Sequence, residues 1–264
     1  MKCRICGNES KYIFNAKIMG KYNVNYFYCN NCGFLGTQNF FWLDEAYSEA
    51  ISTIDTGVLL RNLYLRDVAS IVIYFVFDDS KKFLDYAGGY GVFTRLMRDI
   101  GFDFYWDDLY SKNLFSRGFE YNKKDKIELI TTFESFEHFV DPIKEIENML
   151  SMSTNIIFST EILPYPIPKP DEWWYYSLSA GQHISFYSIK TLNFLANKYN
   201  LMYYTIGNIH IFTKKRINKL TLMYLKMIDK FFLLRLISYN YIKTKMKTKT
   251  VDDMNKIISR SIRY

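Results

Sequence analysis

The sequence is poor in cysteine, proline and histidine, and it lacks a long apolar run. Its four cysteines all fall within the first 32 residues, and no apolar stretch typical of a secretion signal accompanies them. The longest largely apolar run, 68–77, is only ten residues, about half of the ~20 that span a bilayer. These absences argue against a disulfide-stapled secreted fold and a membrane-spanning helix. They predict a cytoplasmic protein with reduced thiols.

Aromatic residues and basic residues are abundant, and the basic ones are unevenly placed. The 264 residues are 49% hydrophobic and 19% aromatic, enough for one α/β domain of about 200 residues plus a small appendage. Segment 214–264 holds fourteen Lys or Arg against three Asp, so the rest of the chain carries about −4 of the total charge of +7. The basic character therefore belongs to the C-terminal segment.

The four cysteines form two Cys-x-x-Cys pairs, each followed by glycine. Residues 11–28 between the pairs alternate as two strands do. Tetrahedral Zn²⁺ takes four thiolates from two such turns, which is the spacing of a zinc ribbon. Two buried disulfides or free thiols are the less favoured alternatives. The sequence predicts a structural zinc ion bound by Cys3, Cys6, Cys29 and Cys32.

A short apolar strand, 82–86, runs into a glycine-rich turn and then a helix over 94–100 that stops at Gly101. Glycines at such a turn let the backbone approach a ligand. A dinucleotide-binding turn needs a third small residue, and Thr94 stands there instead. The pattern Asp-x-Ala-x-Gly-x-Gly resembles the first motif of class I S-adenosylmethionine (SAM) methyltransferases, with Ala87 replacing the usual first glycine. The predicted cofactor-binding residues of this turn are Asp85, Ala87, Gly88, Gly89 and Gly91.

Two further stretches agree with this resemblance. The strand 102–106 ends in Asp107-Asp108, where a carboxylate can accept both hydroxyls of an adenosine ribose. The resemblance favours Asp108, and Asp107 stays open. The stretch 128–139 resembles the fourth-strand motif of the same superfamily, which implies that Phe133 and Glu134 lie beside SAM. Its Glu137-His138 pair is expected to cap or pack rather than to catalyse.

The resemblance extends over about residues 80–213 and implies a Rossmann-like, seven-stranded class I methyltransferase sheet with helices on both faces. A third strand near 119–122 must be short or missing, because little chain is left for it. In this family the segment before the first strand often closes over the cofactor. Tyr47 and Arg61 are therefore candidates for cofactor contact, while an ordinary core Tyr and an exposed helical Arg are the alternatives.

The substrate side is expected in the proline- and aromatic-rich stretch 162–176 and the following 181–188. A His followed by Ser and aromatics here resembles small-molecule methyltransferases, including zinc-ribbon enzymes that methylate nucleotide-linked deoxysugars. In some of these the equivalent His is the base, and a side-chain pKa near ~6.5 suits that role. His183 is the candidate catalytic base, with a purely loop-tying role as an equal alternative. The aromatics 173–176 either stack on a sugar or pack as a lid.

Beyond Lys214, the spacing predicts one basic amphipathic helix from Ile217 to about Ile242, with an apolar stripe. This helix either lies on an anionic membrane surface or, as we favour, forms a dimer contact or a cap. The predicted domains are a zinc ribbon (1–39), a SAM-dependent methyltransferase domain (40–213) and a basic helical extension (214–264).

The sequence thus predicts a cytoplasmic SAM-dependent methyltransferase that acts on a sugar or glycan precursor, as a nucleotide- or lipid-linked sugar, in surface polysaccharide synthesis. Whether oxygen or carbon is methylated stays open. A nucleic-acid methyltransferase is a weaker alternative, because the first 213 residues carry net negative charge. A non-catalytic scaffold that binds a protein partner is the third alternative, and Ala87 gives it slight support.

Overall fold

The structure is a computed structural model, and it describes residues 1–47 and 55–261. The segment before the first methyltransferase strand, which was expected to close over the cofactor, therefore lies partly outside the described residues. The strands are β1 (Lys11–Ile18), β2 (Tyr22–Tyr28), β3 (Leu35–Thr37), β4 (Lys82–Tyr86), β5 (Asp103–Asp107), β6 (Ile127–Thr132), β7 (Ile156–Ser159), β8 (Ser185–Phe186), β9 (Met202–Ile206) and β10 (Ile209–Thr213). The α-helices are α1 (Leu43–Ala46), α2 (Val58–Val76), α3 (Val92–Ile100), α4 (Pro142–Met152), α5 (Ile189–Lys198), α6 (Lys219–Lys230), α7 (Phe232–Lys245) and α8 (Thr250–Ser261).

The larger sheet has six strands in the order β5-β4-β6-β7-β10-β9. Strand β4 is parallel to both of its neighbours, β5 and β6, whereas β9 and β10 form an antiparallel hairpin. The three central residues of β4, Phe83 to Asp85, are buried, as expected of a strand inside a parallel sheet, while Lys82 and Tyr86 at its ends are half-buried. This α/β arrangement fits the predicted Rossmann-like class, and it puts the glycine turn at the carboxyl end of β4.

The prediction of seven strands was wrong for the described chain, because the sheet has six. The missing strand is reduced to one parallel bridge between Trp106 and Glu120. Nineteen residues separate β5 from β6, and two parallel crossovers need a dozen or more residues each. The Glu120 carboxylate also accepts hydrogen bonds from Asn113 Nδ2 and the Gly118 amide, at 2.8 and 3.0 Å, which fold this segment as a loop.

A smaller sheet contains the N-terminal strands and one strand from far along the chain, in the order β1-β2-β3-β8. Strand β3 pairs with β8 through Leu35 opposite Phe186 and Gly36 opposite Ser185. The hydrophobic core over this sheet is strongly aromatic and includes Tyr26, Trp42, Tyr175, Tyr176 and Phe186. Two of the four consecutive aromatics at 173–176 therefore pack in a core, while Trp174 is 75% exposed.

The predicted single C-terminal helix was also wrong, because the chain breaks into α6 and α7 at Phe231, whose backbone is extended. No glycine or proline marks this break. Arg235 Nη1 donates to the carbonyls of Ile228 and Asp229 at the end of α6, while the Tyr64 hydroxyl of α2 donates to the Asp229 carboxylate at 2.5 Å. Packing of both helices on α2 therefore sets the break.

The chain divides into two compact units. Unit 1 contains 1–55, 133–154 and 158–214, and unit 2 contains 56–132, 155–157 and 215–264. In unit 2 the core is built on phenylalanines, with the Phe83 and Phe104 rings stacked at 5.1 Å. Within the described residues, no helix has the length and apolar character needed to cross a membrane.

Candidate functional site

The turn after β4 has the strained backbone that its glycines predict. Gly89 and Gly91 have φ of +54° and +82°, and Gly91 begins helix α3. Among described atoms, none lies within 4 Å of the Cβ that a residue larger than glycine would place at 89, so this side of the turn faces open space. Ala87 also has positive φ, +56°, where L-residues lose about 1–2 kcal/mol. Strain of this kind concentrates at ligand-binding sites.

Asp85 lies beneath the turn and is 2% exposed. Thr94 Oγ1 donates to one carboxylate oxygen at 2.9 Å, and Thr131 Oγ1 lies 3.3 Å from the other. Burial raises the pKa of Asp85 from 3.8 to about 7, against the lowering effect of these hydroxyls. A Cβ at Gly88 would lie 2.7 Å from Asp85 Oδ2, so both residues shape the turn by packing. Asp85 therefore positions the turn from below.

The two acids at the end of β5 have different surroundings. Asp108 accepts three backbone hydrogen bonds, from Gly89 at 2.9 Å and from Tyr110 and Ser111 at 2.7 Å each. Asp107 is the last residue of β5, and burial raises the pKa of its carboxyl group. The Asp108 oxygens thus brace the turn, and ribose binding by Asp107 or Asp108 stays a prediction.

The end of β5 and the segment after it hold the turn in place, and sequence reasoning did not identify this role. Trp106 Nε1 donates to the Gly89 carbonyl and Ser116 Oγ donates to the Gly91 carbonyl, both at 2.8 Å. A Cβ at Gly91 would lie 2.8 Å from Asn113 Oδ1. The only feature of the sequence that could have indicated this role is that the loop is rich in polar and aromatic residues. Arg61 lies in α2 and is half-buried, and its cofactor contact stays a prediction.

Unit 1 carries the second group of predicted residues. Glu134 follows β6 with φ of +50°. Its amide donates to Ser159 Oγ at 2.8 Å, and Ser159 Oγ donates to its carboxylate at 2.6 Å. Ser159, the last residue of β7, thus fixes Glu134 in an unfavourable backbone conformation. Phe133 is half-buried beside it, and the SAM contacts of Phe133 and Glu134 stay predictions.

His183 lies in a cluster with Glu137 and His138, where one ligand atom of each residue lies within 4.8 Å of the others. Its Nδ1 is 2.7 Å from the Tyr175 carbonyl oxygen. The Tyr47 hydroxyl lies 2.9 Å from His138 Nδ1, and its predicted cofactor contact stays a prediction. The expectation that Glu137 and His138 only cap or pack overlooked this cluster. The only sequence feature that could have predicted this cluster is a Glu-His pair with a third ligand-type residue, His183, far along the chain.

The four cysteines converge as predicted from their spacing, with one sulfur of each within 4.8 Å of the others. The closest pairs are Cys3 with Cys32 and Cys6 with Cys29, both at 3.5 Å between sulfurs, and none forms a disulfide. The hydrogen bond from Cys32 lowers the pKa of Cys3 to about 5, and the same contact raises the pKa of Cys32. Four converging thiols suit Zn²⁺.

Arg4, between the first two cysteines, connects this cluster to the segment around His183, a role that the sequence did not reveal. Its guanidinium donates to the carbonyls of Phe139 and Val140 at 2.8 Å and of Ile184 at 2.6 Å. Burial lowers the pKa of Arg4 to about 10. The side chain therefore fixes two loops of unit 1 to the N-terminal segment.

Comparison with known proteins gives a family match. A family model described as a methyltransferase domain matches residues 60–206, more than half of the chain. No curated protein matches the chain.

Several solved structures are similar to the chain. OxaC in complex with sinefungin and meleagrin is 19% identical over 50% of this chain and 41% of that one, with a TM-score of 0.37. An O-methyltransferase family 2 protein from Planctomyces limnophilus DSM 3776, in complex with apigenin, is 16% identical over 65% and 64%, with a TM-score of 0.40. TnmH is 11% identical over 65% and 60%, with a TM-score of 0.43. The chain thus spans less than two thirds of each of these proteins.

Proposed function

Because the chain belongs to the methyltransferase domain family, we propose that it is a SAM-dependent methyltransferase acting on a small molecule. The observation that carries the proposal is the strained glycine turn after β4, open on the Gly89 side and adjacent to a carboxylate at the end of β5. Glycines that allow backbone approach and an acid that accepts ribose hydroxyls fit an adenosine-containing ligand. In this proposal Asp107 binds the ribose, while Asp85 and Asp108 hold the turn.

The deciding experiment is calorimetric titration of the zinc-loaded protein with SAM and, separately, with NAD. Saturable SAM binding without NAD binding supports the proposal, and no SAM binding contradicts it. Gly89→Val should abolish SAM binding, because its side chain would occupy the open side of the turn. Gly20→Val is the matched control: Gly20 also has positive φ, +71°, and its Cβ direction is also free of described atoms within 4 Å. Equal SAM affinity in both variants would refute the cofactor assignment.

For the acceptor, we propose a sugar or glycan precursor, methylated on oxygen or carbon, with His183 as the proton acceptor. Bound SAM would supply an electrophilic methyl group whose bonding electrons stay on sulfur as it leaves. The acceptor oxygen or carbon must lose a proton as the new bond forms. Because the Tyr175 carbonyl can only accept, His183 Nδ1 carries its proton and Nε2 carries the lone pair that takes the acceptor proton. Methyl transfer to nucleotide-linked sugars, followed by mass spectrometry, tests this proposal.

The proposal also includes three domains: a zinc ribbon (1–39), a methyltransferase domain (40–213) and a helical extension (214–264). It places the protein in the cytoplasm. The convergence of four thiols without a disulfide supports both the structural zinc ion and a reducing location. A dimer contact through the C-terminal helices is the alternative to the membrane contact proposed next.

We propose that α6 makes peripheral contact with an anionic membrane surface. Leu220, Met223 and Met227 are 75%, 57% and 41% exposed on α6. Lys219, Lys226 and Lys230 line a surface groove together with Met223 and Met227, so apolar side chains are bordered by positive charge. Sedimentation should show binding to vesicles containing phosphatidylserine, weakened by salt, and little binding to phosphatidylcholine vesicles. Binding that ignores both lipid charge and salt would contradict the proposal, as would dimerisation that buries these side chains.

A further inference from the structure

Main-chain contacts help to hold Glu137, His138 and His183 close to one another. Phe136–His138 forms one turn of 3-10 helix, which presents Glu137 and His138 side by side. The Ile184 amide donates to the Glu137 carbonyl at 2.9 Å, which fixes the residue after His183 against this turn. Glu137 is fully buried, and the two histidines are half-buried with their ring centroids 5.0 Å apart. The three side chains therefore converge at a defined place within unit 1.

Each histidine has a backbone carbonyl oxygen close to its Nδ1 atom. His183 Nδ1 lies 2.7 Å from the Tyr175 carbonyl oxygen, and since a carbonyl only accepts, this Nδ1 carries the proton of the neutral ring. His138 Nδ1 lies 3.1 Å from the Gln182 carbonyl oxygen and 2.9 Å from the Tyr47 hydroxyl, so a metal ion on its Nε2 would leave the Nδ1 proton for the Gln182 carbonyl. Metal-binding histidines characteristically donate from the other nitrogen to a carbonyl or carboxylate.

We propose that Glu137, His138 and His183 form a second metal site, distinct from the cysteines, for a divalent transition-metal ion. Two imidazoles and one carboxylate form a donor set suited to Zn²⁺, Co²⁺ or Fe²⁺ and unsuited to Ca²⁺, which takes six to eight oxygens. Three protein ligands leave a coordination position for water or for an acceptor oxygen.

This site has a consequence for catalysis that rests on the proposed function. A metal ion and a substrate proton would use the same His183 lone pair, so one excludes the other. Occupancy by a transition metal therefore inhibits methyl transfer while it leaves SAM binding at the glycine turn unchanged.

The test is a Co²⁺ titration of the full chain whose cysteine site has already been loaded with zinc. Visible absorption and metal analysis after equilibrium dialysis should show one further Co²⁺ per chain, without the near-ultraviolet band of thiolate-bound cobalt. Glu137→Gln and His183→Gln should each weaken Co²⁺ binding about 100-fold or more, since even second-shell changes cost 10–100-fold. Glu147→Gln is the control, because its exposed carboxylate on α4 contacts Tyr199 and not the cluster. Its Co²⁺ affinity should be unchanged.

Absence of a further Co²⁺ ion in the parent chain would overturn the proposal. Undiminished affinity in both cluster variants would do the same. Circular dichroism and zinc content identify a variant that fails to fold. If Glu137→Gln fails to fold because Glu137 is buried, then His183→Gln, at a half-buried position, still tests the site. SAM calorimetry without Co²⁺ is scored separately: loss of SAM binding refutes the proposed methyltransferase, whereas loss of Co²⁺ binding refutes only this site.

Discussion

At the scale of single residues, the carboxylates around the glycine turn have three separate tasks. Asp85 is sealed beneath the turn, Asp108 binds three backbone amides, and Asp107 ends its strand with a partly buried carboxyl group. The sequence located all three acids through motif spacing. It could not assign their tasks, because the order of Asp107 and Asp108 in the chain does not tell which one turns back toward the Gly89 amide.

Asp107→Asn should weaken SAM binding, because the amide nitrogen replaces an oxygen that accepts a ribose hydroxyl. A loss of about 1.5–3 kcal/mol is expected for a hydrogen bond to a charged group, with the melting temperature nearly unchanged. Asp108→Asn should instead lower the melting temperature, since it disturbs the bond to Gly89. Calorimetry and thermal unfolding of both variants check this, and the reverse result would restore Asp108 as the ribose ligand.

The buried Asp85 should make stability depend on pH. Its folded pKa is raised to about 7 from 3.8, so the folded state holds the proton more tightly than the unfolded state. The favourable contribution is complete below pH 3.8 and is lost as the pH rises to about 7, in total on the order of 4 kcal/mol. Asp85→Asn should flatten this slope and be the more stable protein above neutral pH. Denaturant unfolding between pH 4 and 8 measures both, and parallel slopes would contradict the assignment.

His183→Ala should leave SAM affinity intact and slow turnover ~10² to 10⁴-fold if His183 takes the acceptor proton. The measurement is kcat at saturating SAM with an acceptor found by screening, alongside calorimetry on the same preparation. Turnover equal to that of the parent chain would leave His183 with only its hydrogen bond to the Tyr175 carbonyl.

At the scale of elements, local pattern predicted the strands and helices around the turn well. Strand β4 has the expected bounds, and helix α3 ends at Ile100, directly before Gly101, as expected. Elements that depend on tertiary contacts were missed. The break between α6 and α7 is set by Arg235 and Tyr64 rather than by glycine or proline. The third strand is reduced to a single bridge at Glu120, because side-chain hydrogen bonds fold this segment as a loop.

A buried ion pair fixes helix α8 to α3, and the net charge of the C-terminal segment did not indicate it. Arg98 donates to both carboxylate oxygens of Asp253 at 2.7 and 2.8 Å, and both side chains are at most 5% exposed. Burial alone would raise the pKa of Asp253, but Arg98 and Arg95 together lower it. The basic C-terminal segment thus contains one buried carboxylate that pairs with the rest of the chain.

Asp253→Ala should destabilise the protein by about 3 kcal/mol, because it leaves a buried guanidinium with only part of its partners. Asp252→Ala is the control, since its carboxylate pairs with Lys247 at an exposed position. Denaturant midpoints of the two variants provide the measurement, and equal midpoints would contradict the role given to the buried pair.

At the scale of the whole molecule, three motifs in the right order predicted the family and the fold class. They did not predict which distant segments of the chain pair with each other. Strands β1 to β3 were expected as a separate ribbon, yet their sheet continues into β8, about 150 residues further along the chain. Pairing between such distant strands leaves no signal in a single sequence, because β8 is only two residues long.

Zinc removal should therefore affect more than the N-terminal segment. Protein purified without chelator is expected to carry a tightly held zinc ion, which Cys32→Ser should abolish. Chelation should lower the melting temperature and expose the aromatic core, since ligand convergence is lost with the metal. Metal analysis and near-ultraviolet circular dichroism check this, and a zinc-free chain with unchanged spectra would rule out the structural ion.

Strand β3 pairs with β8, and Arg4 donates a hydrogen bond to the Ile184 carbonyl, so the four cysteines are connected to the loop that carries His183. If zinc binding orders that loop and so raises the affinity for an acceptor, then the acceptor must raise the affinity for zinc by the same factor. An acceptor could thus be recognised before any product is detected, as a compound that lowers the fraction of zinc that a coloured chelator takes from the protein at equilibrium.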